Sequence, residues 1–222
     1  MLVEVACFNL QDALVAQGTG ADRIEFCENY SAGGITPSET DIKAASQKIK
    51  IPLFIMIRPR AGNYVYTAEE FVKMKKQILF CKLFKCAGVV FGILNSKNEI
   101  NKELCRELVE FAKPMECTFH RAFDEAVDMH KALEDVIDCG FNRILTSGGK
   151  GKAIDNFKVL SELVKKSSGR IIVIPGGAVR LENVNEIINK TSCIEIHTAA
   201  LNSKTGKLDV EELKQIKKLI LK

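Results

Sequence analysis

Three glutamates stand inside short runs that otherwise read as apolar β-strand: Glu4 in Leu2–Cys7, Glu25 in Arg23–Cys27 and Glu195 in Ile194–His197. A carboxylate taken out of water must be paired or hydrogen-bonded. Arg58, His120 and His197, each at the end of such a run, are the natural counter-groups. Glu25 and Cys27, two residues apart, share one strand face, as do Glu195 and His197. Carboxylates, imidazoles and a guanidinium gathered together shift pKa values toward neutrality. Such a group equips His120 or His197 to carry a proton, with Glu4 and Glu25 as further acid–base candidates. The plainer reading of any one Glu–Arg pair is a buried structural ion pair.

Two glycine pairs supply a second signal. Gly148-Gly149 and Gly176-Gly177 each follow a strand-like run and precede a helix-like one. Without a Cβ, such turns let backbone N–H groups face an anion. Arg58 and Arg60 add forked guanidiniums that match phosphate or carboxylate. Tight turns without a ligand are the alternative. A third chemistry is metal binding. Soft thiolates select Cu(I) or Zn, and Cys27 and Cys7 lie on neighbouring strand-like runs. Parity sets Cys7 apart, because Glu4 and Ala6 share a face and Cys7 takes the other one unless the strand has already ended.

The elements that must position these residues alternate regularly. Strand-like runs are Leu2–Cys7, Arg23–Cys27, Leu53–Arg58, Gly88–Gly92, Glu116–His120, Arg143–Thr146, Ile171–Pro175 and Ile194–His197. Between them lie helix-period stretches: Asn9–Gly18, Glu39–Lys48, Ala68–Phe84, Lys102–Phe111, Met129–Cys139, Ala153–Lys166 and Glu182–Ile188, with Val210–Leu221 last. Eight strand–helix units predict an α/β chain forming one (β/α)8 TIM barrel over residues 1–222. A doubly wound open sheet would want a glycine-rich turn after the first strand, and Cys7-Phe8-Asn9-Leu10 is not one. Gly20-Ala21-Asp22-Arg23-Ile24 and Gly140-Phe141-Asn142-Arg143-Ile144 read as equivalent corners, an echo of repeat construction. In such a barrel the active site forms at the C-terminal ends of the strands, where the candidate residues fall.

Composition narrows the function classes. The chain has 222 residues, with 46% hydrophobic and 27% charged, the balance of a globular protein. A formal net charge of +4, spread along helix-like stretches, does not predict nucleic-acid binding. No uncharged apolar run reaches a membrane-spanning length, and the N-terminus lacks the pattern of a signal peptide. Eight scattered cysteines with no CxxC predict buried thiols in a reducing, cytoplasmic setting.

The chain resembles the CutC family through several of these stretches. They are Gly20-Ala21-Asp22-Arg23-Ile24-Glu25 to Cys27, Gly33-Gly34-Ile35-Thr36-Pro37-Ser38, Met56-Ile57-Arg58-Pro59-Arg60 and Val89-Val90-Phe91-Gly92. Thr118-Phe119-His120-Arg121-Ala122-Phe123-Asp124, Arg143-Ile144-Leu145-Thr146-Ser147-Gly148-Gly149 and Pro175-Gly176-Gly177 complete the match, which spans roughly Val3 to Ala200. The resemblance implies a (β/α)8 barrel and a cytoplasmic homo-oligomer linked to copper handling. It also implies a paired-thiol copper site using a cysteine of strand 1 with one of strand 2. The strand 2 role carries over directly to Cys27. The strand 1 place, two residues after Glu4, is Ala6 here, with the thiol displaced to Cys7.

Two functions are therefore expected. One is copper handling, with Cu(I) bound through Cys27 and Cys7 or Met56 as a partner. The other is an enzyme acting by acid–base chemistry on a small phosphorylated or carboxylated metabolite. Its anion site would use Arg58, Arg60, Gly148, Gly149, Gly176 and Gly177, and its proton carriers Glu4, Glu25, His120 and His197. A barrel serving mainly as an oligomeric scaffold is a third possibility.

Overall fold

In each strand of this protein, residues facing the helices alternate with residues facing the barrel axis, and the outward set is almost wholly apolar. Val3, Val5 and Cys7, then Ile24 and Phe26, then Ile55 and Ile57, join one continuous core beneath the helices. The computed structural model describes residues 1–202 and 204–220. Its strands are β1 (Leu2–Cys7), β2 (Arg23–Phe26), β3 (Leu53–Met56), β4 (Gly88–Phe91), β5 (Glu116–Phe119), β6 (Arg143–Thr146), β7 (Ile172–Pro175) and β8 (Glu195–Thr198). The helices between and after them are α1 (Leu10–Thr19), α2 (Glu39–Lys48), α3 (Ala68–Leu83), α4 (Lys102–Ala112), α5 (Met129–Asp138), α6 (Phe157–Ser167), α7 (Val184–Thr191) and α8 (Val210–Ile220).

The hydrogen-bonded order is β7-β6-β5-β4-β3-β2-β1-β8, all parallel, with β7 and β8 lying side by side to make a nearly closed (β/α)8 barrel. The expected elements all form, and their bounds move by a few residues. The stretch expected as one helix over Ala153–Lys166 divides into a 3-10 turn at Ala153–Asn156 and α6. α7 starts later than expected, after Asn183, whose side chain bonds back to the carbonyl of Ala178 and the amide of Arg180. Leu221, placed in the last helix by the sequence, lies outside the described residues.

The echo between the two αβ corners is physical. Asp22 donates its amide to the Val3 carbonyl and accepts the Val3 amide on its carboxylate, at 3.0 and 2.7 Å. Asn142 repeats both bonds with Cys117 of β5, at 2.9 and 2.8 Å. The preceding helices α1 and α5 each end at a glycine with positive φ, Gly20 and Gly140. This half-barrel repeat aims the next residue of each corner, Arg23 and Arg143, at the axis.

The axis is consequently charged where such barrels are usually filled by branched aliphatics. The guanidiniums of Arg23 and Arg143 lie 5.0 and 5.4 Å from the centroid of one ring, Phe54. That ring needs Gly88 beside it, since a Cβ there would meet ring carbons at 2.5 Å. Bonds continue from Arg143 to Glu116 at the N-terminal end of the barrel and to Glu195 at 3.1 Å. Arg23 bridges Glu195 and Glu4 at 2.5 Å each.

Candidate functional site

This ionic chain ends at the C-terminal mouth. Glu4, fully buried in β1, accepts from Arg23 on one oxygen and from His197 Nδ1 on the other, the latter at 2.7 Å. Burial alone would raise its carboxyl, but the His197 bond and the Arg23 charge outweigh that and hold it at about 2. Because Nδ1 is committed to Glu4, the His197 Nε2 atom faces the other way, 3.9 Å from Glu25 Oε2. Burial lowers His197, yet the charges of Glu25 and Glu4 together push it above its usual range.

Glu25 and Cys27 share the inner face of β2, as the two-residue spacing requires. The Cys27 thiol donates to Glu25 Oε2 at 3.3 Å, and Glu25 Oε1 is buried with no partner. Burial, with the Glu4 charge added, raises the Glu25 carboxyl. Burial and the Glu25 charge keep the Cys27 thiol protonated, well above its ordinary value. Met56 of β3 packs with Cys27, Phe54 and Val90 in a small inner cluster. Both Cys27 Sγ and the Met56 methyl abut Gly34. One ligand atom each of Glu4, Glu25 and His197 lies within 4.8 Å of the others.

A cavity of about 330 Å³ opens above these groups, and Glu25, Cys27, Met56, Arg58, His120 and His197 all border it. Several expected residues do not. Cys7 belongs to the helix-side core, as its parity required, and burial pushes its thiol up. Glu4 lies beneath the cavity, reaching it only through His197. Arg60 pairs with Glu70 at 2.6 Å on the outer loop.

Of the counter-groups expected for the glutamates, His197 pairs as expected with Glu4, and Arg58 and His120 do not pair with an acid among the described residues. Arg58 bonds to the carbonyls of Ala32, Gly34 and Gly62 and stacks on Tyr64, touching no carboxylate among the described ion pairs. His120 uses Nδ1 to accept the Ala122 amide, leaving Nε2 as the proton-bearing nitrogen, buried without a partner. Burial and the Arg58 charge hold its pKa near 3, so the ring is neutral. The true partners are Arg23, Arg143 and His197. Arg23 and His197 win because they stand directly opposite Glu4 on the inner face, and Arg143 because it reaches Glu195 across the axis, whereas Arg58 lies beyond the end of β3 and clamps loops. The parity of Arg23 with Glu25 was the signal that could have found it.

The glycine pairs separate in the same way. The amides of Ser147 and Gly149 already point at Asp124, with Ser147 N at 3.0 Å and Gly149 N at 3.4 Å from its Oδ1. Gly148 N donates to Thr146 Oγ1 and Gly176 N to the Thr146 carbonyl. Only Gly177 of the four borders the cavity, together with Ala178, Val179, Arg121 and Arg180, which sequence reading had not singled out.

Comparison with known proteins agrees with this architecture. The model of the CutC family matches residues 1–202. A copper homeostasis protein cutC homolog of Homo sapiens is 39% identical over 203 residues, covering 91% of this chain and 74% of its own. The crystal structure of CutC from Streptococcus agalactiae superimposes with a TM-score of 0.85 at 34% identity, covering 90% of this chain and 98% of that one. Phosphoribosyl anthranilate isomerase of Thermotoga maritima shares the fold alone, with a TM-score of 0.65 at 21% identity over 98% of this chain and 97% of its own.

Proposed function

The chain belongs to the CutC family, whose curated relatives are named for copper homeostasis, and from that premise we propose that it handles copper by taking Cu(I) at the barrel mouth. The observation that carries this reading is the donor set around Cys27. A thiol, a thioether (Met56) and an imidazole nitrogen (His197 Nε2) border one cavity, the ligand types that soft cuprous ions select. Glu4 holds His197 by its other nitrogen, the arrangement that orients metal-binding imidazoles and raises their basicity.

A thiol must lose its proton before it binds a metal as thiolate. Glu25 Oε2 already accepts the Cys27 S–H, so that carboxylate is the group placed to take the proton as Cu(I) arrives. Cys7 has no part in this site; Ala6 occupies the inner face where a second β1 thiol would stand. The family membership favours copper handling over the acid–base enzyme acting on a phosphorylated or carboxylated metabolite.

A titration of the reduced protein with Cu(I) against a competing chelator tests the reading. Near-stoichiometric uptake is expected for the native protein and for Cys7→Ala, with marked loss for Cys27→Ala. Uptake that survives Cys27→Ala unchanged would remove the thiol, and with it the proposal.

A further inference from the structure

A single copper ion fills little of a 330 Å³ cavity, whose volume falls at the lower end of the range for small-molecule sites. Its other wall, away from Cys27, is built by the loops that follow β7 and β8. The turn after β7 is polarised. The carbonyls of Gly177, Ala178 and Val179 are all engaged, by Ala153 N, Asn183 Nδ2 and Thr198 Oγ1 at 2.9, 2.9 and 2.7 Å. The three amides of the same residues donate to no acceptor among the described residues. Left-handed backbone at Gly177 (φ 95) and Ala178 (φ 54) curls the turn, the form of successive-amide concavity that binds anions.

The neighbouring turn shows what such a turn does in this molecule. After β6, the amides of Ser147 and Gly149 receive the carboxylate of Asp124. Arg121 ties the two turns together. Its Nε bonds Asp124 at 2.7 Å and its Nη2 bonds Ser147 Oγ at 2.8 Å. Its guanidinium also packs on Gly177, where a Cβ would lie 3.3 Å from Cζ and 3.4 Å from Nη1. No carboxylate of the chain reaches the second turn among the described hydrogen bonds. Three arginines, Arg58, Arg121 and Arg180, border the cavity, Arg121 paired with Asp124 and Arg180 with Glu212 behind its wall. The His120 ring borders the same cavity, with its unpartnered Nε2 buried behind that wall.

We propose that the turn Gly177-Ala178-Val179, with Arg121, binds the phosphate of a small phosphomonoester whose remaining part lies in the cavity beside the Cys27 wall. The three amides and the free edge of Arg121 hold the phosphate oxygens. This site does not depend on the copper reading, and the two share only the cavity.

The test uses the full-length, metal-free protein labelled with ¹⁵N and titrated with inorganic phosphate and with glycerol 3-phosphate, against sodium chloride of equal ionic strength and sodium acetate. Saturable shifts of the Gly177, Ala178 and Val179 amides are expected with both phosphates. Arg121→Gln should weaken binding about tenfold, the loss of a charge-assisted bond. Shifts reproduced by chloride, saturation by acetate alone, or an Arg121→Gln affinity equal to the native one would overturn the proposal. The amide map of the native protein decides the matter even if that variant folds poorly. Because no metal is present, failure here leaves Cu(I) binding untouched, and failure of copper uptake leaves these shifts unchanged.

Discussion

Glu4→Gln is the sharpest probe of the charged barrel axis. The amide keeps the side-chain volume and an acceptor oxygen for His197 Nδ1, but it removes the charge that Arg23 and His197 both address. Native Glu4 titrates near 2 rather than at the ordinary 4.5. At about 1.4 kcal/mol per tenfold, this difference makes its ionised form worth about 3 kcal/mol to the fold. Glu4 is fully buried, so solvent screening does not discount that figure. Because the folded value is depressed, the contribution is complete above pH 4.5 and drains away as the pH falls toward 2. The raised Glu25 carboxyl acts in the opposite sense, and because the Glu4 charge is one of its causes, the variant relieves part of that shift and trims the gap. Urea unfolding of the native protein and the variant should therefore differ by about 3 kcal/mol at pH 7, or about 6 to 12 °C in Tm for a chain of this size. The gap should narrow steadily below pH 4.5. A gap below about 1 kcal/mol at pH 7, or one that stays constant to pH 3, would refute the assignment of Glu4 as an ionised hub.

Gly88→Ala should destabilise the barrel by about 2 kcal/mol through overpacking against the Phe54 ring, read by thermal unfolding, with Phe54→Leu in the same chain recovering part of the loss. Nitrogen-15 spectra of the imidazoles should show His120 neutral from pH 5 to 8, with its pKa near 3. In the same spectra His197 should remain protonated above pH 6.5, and its stabilising effect, present below that pH, should fade as pH rises through its raised folded value. Cu(I) affinity should rise with pH by about tenfold per unit for each proton that leaves the site, from the Cys27 thiol or from the raised His197 imidazole, and an affinity that falls as pH rises would argue against thiolate ligation in competition titrations. Arg23→Met leaves Glu4 and Glu195 facing each other without their shared cation and should cost about 3 to 5 kcal/mol, measured by urea unfolding at pH 7.

The alternation of apolar strand runs with helix-period stretches fixed the order of all eight units before any coordinate, because period and turn chemistry are local properties. Parity did the same for Cys7 and Cys27: one strand residue more or less decides which face a thiol takes, and that is written in the spacing. Placement of Glu25, Cys27, His120 and His197 at the mouth followed from where their strands end. The pairing of charges did not. Arg23 and Arg143 stand 120 positions apart in the chain and meet around Phe54 only because the barrel closes. Arg58 looked the better partner on the linear chain, yet it is spent on loop carbonyls. Likewise the two glycine turns read alike, and only the fold shows that Asp124 fills one while the other, whose amides find no acceptor among the described residues, borders the cavity. Local sequence sets which elements form and which face each residue takes; which charges meet, and which amides are left to a ligand, depends on contacts between strands that share nothing along the chain.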